Sequence, residues 1–221
     1  MHDESHHEAL TIARLRMVDE QLRARGIRDP RLLAAMAEVS RHEFIDQRYW
    51  SEAYSDHPLP IASGQTISQP YIVAAMIEAL QVAPHHRVLE IGTGTGYEAA
   101  ILSRLAQAVY TVERHPDLAE QARQIFQRIG YLNMEVFTAD GSEGLPQYAP
   151  YDRIIVAAAA PEVPRPLWDQ LAENSRLVLP VGNYESQVLQ LITKNNGLRT
   201  TSTLDACRFV PLIGSSGFDA N

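Results

Sequence analysis

The sequence predicts an α/β protein: a doubly wound, mostly parallel sheet of seven strands with helices on both faces and an N-terminal helical extension. Three observations carry this expectation. Short β-branched, apolar runs alternate with segments of helical period from residue 88 onward, which is the pattern of a parallel sheet built from strand–helix units. The first run is followed directly by the glycine-rich turn Gly92-Thr-Gly-Thr-Gly96 and then by a helical segment. The last two β-rich stretches have no helix between them, so they are expected to form a hairpin-like pair at the sheet edge.

In chain order, residues 8–25 are charged, with apolar positions at Leu10, Met17, Val18 and Leu22, and read as an amphipathic helix stopped by Gly26. Upstream, the His2, His6, His7 group is better explained as a frayed polar terminus than as a metal site, and no Cys/His set has zinc spacing. Asp29-Pro30 has the N-cap and first-turn chemistry to open a second helix, with Leu32, Leu33 and Met36 as its apolar stripe. These helices either cover the sheet or close one side of a site. Residues 49–69 lack regular periodicity but are rich in aromatic and apolar side chains, which predicts a lid or substrate-binding segment rather than disorder. Pro70 then starts a helix with an apolar face of Ile72, Val73, Met76, Ile77 and Leu80. Ser68 is placed to be its N-cap, although a catalytic role is compatible because helix N-termini attract anions.

The remaining predicted strands are Val88–Ile91, 108–113, 134–140, 151–160, 176–182, 187–193 and 203–210. Helices follow from Tyr97 and from Pro116 to a stop at Gly130, and a short one holds Leu167, Trp168 and Leu171. The whole chain, 1–221, is expected to be one domain, with helices and lid in 1–83 and the sheet core in 84–221.

A ligand of such a sheet lies outside the C-terminal strand ends. Glu90, Glu113 and Asp140 each end a predicted strand, so all three are expected to point into that crevice. The turn has G-x-G-x-G spacing, not the G-x-G-x-x-G of a dinucleotide site, and no basic residue follows it before Leu102. A pyrophosphate is therefore disfavoured beside Glu90, whereas a cationic nucleoside such as S-adenosylmethionine suits an acidic, glycine-rich turn. Glu113 lies at the right distance to accept hydrogen bonds from ribose hydroxyls. Asp140 is a candidate acceptor for an adenine amine with Gly141 leaving room for the base, but an Asp-Gly pair is also an ordinary turn.

The net charge of −8 argues against a nucleic-acid partner. No apolar run reaches membrane-spanning length and the N-terminus lacks the basic-then-apolar form of a signal peptide, so a cytoplasmic protein is expected. The single cysteine, Cys207, forbids an intrachain disulfide.

Taken together, Met17-Val-Asp-Glu-Gln-Leu-Arg-Ala-Arg-Gly26, Arg41-His-x-Phe44, Ala53-Tyr-Ser-Asp56, Leu59-Pro-Ile-Ala-Ser-Gly-Gln-Thr-Ile-Ser-Gln-Pro70, the glycine turn, Ala139-Asp-Gly141 and Arg208-Phe-Val-Pro-Leu212 make the chain resemble the protein-L-isoaspartate O-methyltransferases. These are Rossmann-like S-adenosylmethionine enzymes, and the match runs over nearly the whole chain. The glycine turn is common to many methyltransferases; the 64–70 lid and the closing Arg-Phe-Val-Pro-Leu are far more specific. The resemblance implies methyl transfer to the α-carboxyl of L-isoaspartyl residues in damaged proteins, with S-adenosyl-L-homocysteine as product. It carries the catalytic role onto Ser68 and places Gln65, Thr66, Ile67, Glu90, Gly92, Thr93, Gly94, Gly96, Glu113, Asp140 and Gly141 at the cofactor. Asp56, Ile61, Val210, Pro211 and Leu212 become substrate contacts, with no metal. A monomer is expected, since an enzyme that reaches damaged sites on many proteins needs an open face. The chain departs from the family pattern at Ala62, Thr95, Glu98, Ala157, Cys207 and Asn174-Ser175, and none of these departures removes a proposed ligand.

Two rivals share the cofactor turn: a methyltransferase acting on another peptide or small-molecule carboxylate, and an inactive cofactor-binding interaction protein. An NAD-dependent dehydrogenase is disfavoured by the turn spacing and by Glu90.

Overall fold

The computed structural model describes the backbone of residues 2–219 and the side chains of residues 7–219. Seven strands form the main sheet: β3 (Arg87–Ile91), β4 (Ala108–Glu113), β5 (Met134–Thr138), β6 (Tyr151–Val156), β7 (Leu171–Gly182), β8 (Gln187–Asn195) and β9 (Leu198–Cys207), in the order β5-β4-β3-β6-β7-β8-β9. β3 to β7 pair in parallel, and β8 and β9 are antiparallel at one edge. The predicted doubly wound architecture is therefore the observed one. Chain order reverses at β3, whose neighbours are β4 on one side and β6 on the other, and this is where such sheets bind ligands.

The alternation of side chains along a strand builds two apolar layers. Val88, Val109, Ile155 and Val178 face one layer, with the helices α2 (Pro30–Glu38), α3 (Pro70–Leu80), α4 (Tyr97–Leu105) and α5 (Pro116–Ile129). Leu89, Ile91, Ile154, Val156 and Leu177 face the other, with α6 (Arg165–Gln170). Both faces of the inner strands are covered, which is why these strands read as continuous apolar runs.

The first helix, α1, spans His2–Arg16 and continues through a π-helical turn, Met17–Leu22, to Gly26 at φ 103°. It thus begins before residue 8, where the sequence suggested a frayed end. The side chains of His2 and His6 lie outside the described residues; the His7 ring sits edge-on to His42 and Trp50. Asp29 caps α2 as expected, accepting from the Arg31 and Leu32 amides.

Further boundaries differ from expectation, and β5 ends at Thr138, two residues before Asp140. Residues 59–67 contain a small antiparallel hairpin, β1 (Leu59–Pro60) against β2 (Thr66–Ile67), too short to leave a period in the sequence. Leu171 opens β7 instead of closing the preceding helix. β6 stops at Val156, and Ala159 and Ala160 form only isolated bridges. β9 lies earlier than predicted, because Asn196 (φ 52°) and Gly197 (φ 72°) make a tight hairpin turn after β8. Its residues are exposed on both faces, so they carry no alternation to mark it. Among the described residues, no helix is long and apolar enough to cross a membrane.

Candidate active site

A cavity enclosing about 810 Å³ of space, the open solvent at its mouth included, lies at the C-terminal ends of β3, β4 and β6. One wall is the glycine turn. Gly92, Gly94 and Gly96 have φ of 96°, 52° and 97°, conformations in which a Cβ is strained. Gly92 and Gly94, with Thr93 between them, line the cavity; Gly96 instead packs against the Phe126 ring, which leaves no space for a Cβ. On the next strand Glu113 closes the turn from below: its Oε2 accepts from the Gly94 amide at 2.9 Å and its Oε1 from the His115 amide at 2.9 Å. Its carboxylate thus reaches the cavity already oriented by two amides. Gly141 lines the cavity beside Ile91 and has no room for a Cβ there.

The opposite wall is the lid. Ile61, Gln65, Thr66, Ile67 and Ser68 all line the cavity. The lid is pinned at its tip, where the Ser63 hydroxyl donates to Asp117 at 2.6 Å, and the Ile61 side chain comes to within contact distance of the Gly94 position. The chain end forms a third wall. The Ala159 amide donates to Val210 at 2.8 Å and the Leu212 amide to Ala159 at 2.7 Å, which draws Val210, Pro211 and Leu212 along the strand end into the cavity.

Ser68 is not the helix cap. Gln69 flanks α3, with no side-chain capping bond, because its Nε2 is drawn away to Asp56. Ser68 is left lining the cavity.

Four predicted contacts lie elsewhere. Glu90 does not point into the crevice: strand alternation sets it with Val88 on the opposite side from Ile91, and it is fully buried, accepting from the Thr111 hydroxyl. Asp140 borders an adjoining hollow, where Oδ1 accepts from the Ser142 amide and hydroxyl and Oδ2 from the Ser215 amide and hydroxyl. Partial burial raises its pKa, but these bonds outweigh that and hold the carboxyl below its usual range. Ser142 and the chain end thus occupy the acceptors that the sequence assigned to an adenine amine. Asp56 does not line the cavity; it pairs with Arg25 and accepts from Gln69 at 2.8 Å, tying the lid to the first helix. Gly96 is the fourth, as described above.

Several lining residues escaped the sequence reading. Arg114 and His115 directly follow Glu113, and Ala157 and Ala158 directly follow β6, so the strand-end rule applied to every strand would have found them. Thr95, Tyr97 and Glu98 line it from the start of α4. Glu98 is only 7% exposed, and burial pushes its carboxyl up to about 8. Glu90 is held well above the carboxylate range by burial first and then by the neighbouring Glu98 charge.

The comparisons with known proteins agree with this geometry. The family model described as protein-L-isoaspartate(D-aspartate) O-methyltransferase matches residues 14–217. A relative of that name from Koribacter versatilis (strain Ellin345) is 57% identical over 205 residues, 93% of this chain and 92% of its own. Among solved structures, a protein-L-isoaspartate O-methyltransferase superposes with a TM-score of 0.83 at 31% identity, over 92% of this chain and 67% of the other. A Plasmodium falciparum chain assigned the same activity, solved in complex with S-adenosyl-L-homocysteine, has a TM-score of 0.77 at 28% identity over 90% of this chain and 98% of its own.

Proposed function

Because this chain belongs to the protein-L-isoaspartate(D-aspartate) O-methyltransferase family, we propose that it repairs damaged proteins by methylating the α-carboxyl of their L-isoaspartyl residues, using S-adenosylmethionine. The observation that carries this reading is the convergence of three elements on one cavity: the glycine turn with Glu113, the lid with Ser68, and the Val210–Leu212 segment. The residues present suit the cofactor. The turn is a cradle that side chains at Gly92, Gly94 or Gly141 would disturb, and the Thr95 hydroxyl and Glu98 Oε1 are buried acceptors without a partner among the described residues.

On this reading Gly92, Thr93 and Gly94 hold the cofactor by backbone approach, and Glu113 accepts from its ribose hydroxyls. Gly141 leaves space for the base. When bound, S-adenosylmethionine supplies an electrophilic methyl group on a sulfonium. The substrate carboxylate is already ionised at neutral pH, so the chain need provide no strong base. Its work is positioning. The Ser68 hydroxyl donates to the substrate carboxylate and orients one oxygen, the Val210 to Leu212 backbone receives the substrate main chain, and the lid excludes water. Asp56 acts indirectly, by anchoring the lid through Gln69 and Arg25. The full chain acts as one unit, a monomer in the cytoplasm, with residues 1–83 forming the cover over the sheet core.

Transfer of labelled methyl from S-adenosylmethionine to matched isoaspartyl and aspartyl peptides tests the reading. Labelling of the isoaspartyl peptide alone is expected. Cofactor binding with no transfer to either peptide overturns it.

A further inference from the structure

Two buried carboxyls, Glu90 and Glu98, lie close enough to repel each other beside the glycine turn, which also holds the buried Thr95 hydroxyl. Glu98 Oε1 in the first turn of α4 and the Thr95 hydroxyl are buried with no hydrogen-bond partner among the described residues, while the Glu90 carboxyl on β3 accepts from the Thr111 hydroxyl and the Ala99 amide. Leaving such a group unsatisfied costs about 1–3 kcal/mol, more when it is charged. Two carboxyls buried together cannot both ionise cheaply, so at least one keeps a proton. The cations nearby do not cancel the pair. Arg41 stacks its guanidinium on the Tyr97 ring, 4.9 Å from the centroid, and makes no ion pair among the described residues. Arg114 and His115 line the same cavity beyond Glu113, itself a further negative charge acting on Glu90. On the α4 helix itself, Arg104 pairs outward with Glu38 at 2.9 Å. Of the two carboxyls, only Glu98 lines the cavity.

We propose that Glu98 is a charge-sensing cofactor residue: it holds a proton in the free enzyme, releases it to solvent when the cationic methyl donor enters, and recovers one when the donor has become a neutral thioether. This inference rests on the cofactor assignment made above and deepens it. The donor carries one positive charge more than S-adenosyl-L-homocysteine, and that extra charge stabilises the Glu98 carboxylate in a buried position where solvent screens it little. The balance is simple: the carboxyl O–H bond breaks, its electron pair stays on oxygen, and the proton goes to solvent. After transfer the charge that held the carboxylate is gone: reprotonation restores the neutral pair, and the spent cofactor lacks the attraction that favoured the donor, which favours exchange.

The sign of the pH effect follows. A carboxyl raised to about 8 in the free protein and lowered in the complex makes binding release a proton, so affinity for S-adenosylmethionine rises with pH up to that value. The test is calorimetric binding of S-adenosylmethionine and of S-adenosyl-L-homocysteine between pH 6 and 9, in buffers of different ionisation enthalpy, for the unmodified protein and for Glu98→Gln. The cofactor's own amino group titrates alike in both proteins, so it cancels in the comparison. For the unmodified protein, the ratio of the two affinities is expected to shift toward the donor by up to about tenfold per pH unit below pH 8, with release approaching one proton. In Glu98→Gln that dependence should vanish. Equal proton release by both proteins, or none by the unmodified protein while the donor binds, overturns the inference and leaves the cofactor assignment intact. No donor binding at any pH overturns both.

Discussion

Replacing Gly141 by alanine isolates one steric term at the cavity. Gly141 does not have a positive φ, so a side chain there brings no backbone strain. The new Cβ would lie under 3.0 Å from Ile91 Cγ2, whereas carbon atoms pack best at roughly 3.5–4.0 Å. One of the two must yield by about half an ångström or more. Ile91 is held at 1% exposure between β4 and β6, and the open volume beside it is the cavity, so its side chain yields in that direction. Overpacking of this kind costs about 1–3 kcal/mol. We expect that loss in urea unfolding, and a Kd for S-adenosyl-L-homocysteine raised about tenfold or more in calorimetry. Ile91→Ala removes the opposing methyl at a cost of about 2–5 kcal/mol from the lost packing. The double variant should then be less destabilised than the summed single variants, by about 0.5–3 kcal/mol. Additive losses would refute the steric argument.

Ser68→Ala should lower kcat with little change in cofactor Kd, since the hydroxyl is assigned to the substrate; a large loss of cofactor binding in calorimetry would exclude that role. Glu113→Gln removes one of two acceptors that hold the Gly94 and His115 amides, and charged bonds of this type contribute about 1.5–3 kcal/mol. Its cofactor Kd should rise at least about tenfold, and an unchanged value would refute the ribose assignment. Asp140→Asn tests the clamp on the chain end. The folded pKa of Asp140 is depressed, so its contribution is full above the unfolded value of about 3.9 and is lost as pH falls through the folded value. Thermal unfolding should show the variant less stable by about 1–2 kcal/mol near pH 7, allowing for solvent screening, with the difference closing below about pH 4. A gap that persists in acid would refute the charge-based account.

The inner strands were legible because residues such as Val88, Leu89 and Ile91 are buried whichever way they face, and burial on both sides writes itself as an unbroken apolar run. Helix ends were legible for a similar local reason: Gly26 and Gly130 stand where a left-handed stop is needed, and Asp29 bonds to its own next turn. β9 was displaced in the reading because its exposed residues carry no pattern, although Asn196-Gly197 was a usable turn signal. The resemblance of the 64–70 lid named the chemistry, and the glycine turn with Glu113 named the kind of ligand.

What the sequence could not express is which way a side chain faces once strands pair. Glu90, Glu113 and Asp140 look equivalent as strand-end carboxylates, yet each has a different fate. Pleat alternation turns Glu90 into the helix layer, Glu113 reaches the cavity held by two backbone amides, and Asp140 is claimed by Ser215, seventy-five positions further on. Glu98, which the sequence shows only as a departure from the family pattern, becomes a buried carboxyl beside a second one only when α4 packs over the sheet. Local chemistry determined the elements and the ligand class; long-range packing decided which carboxyls meet the ligand and which must keep a proton.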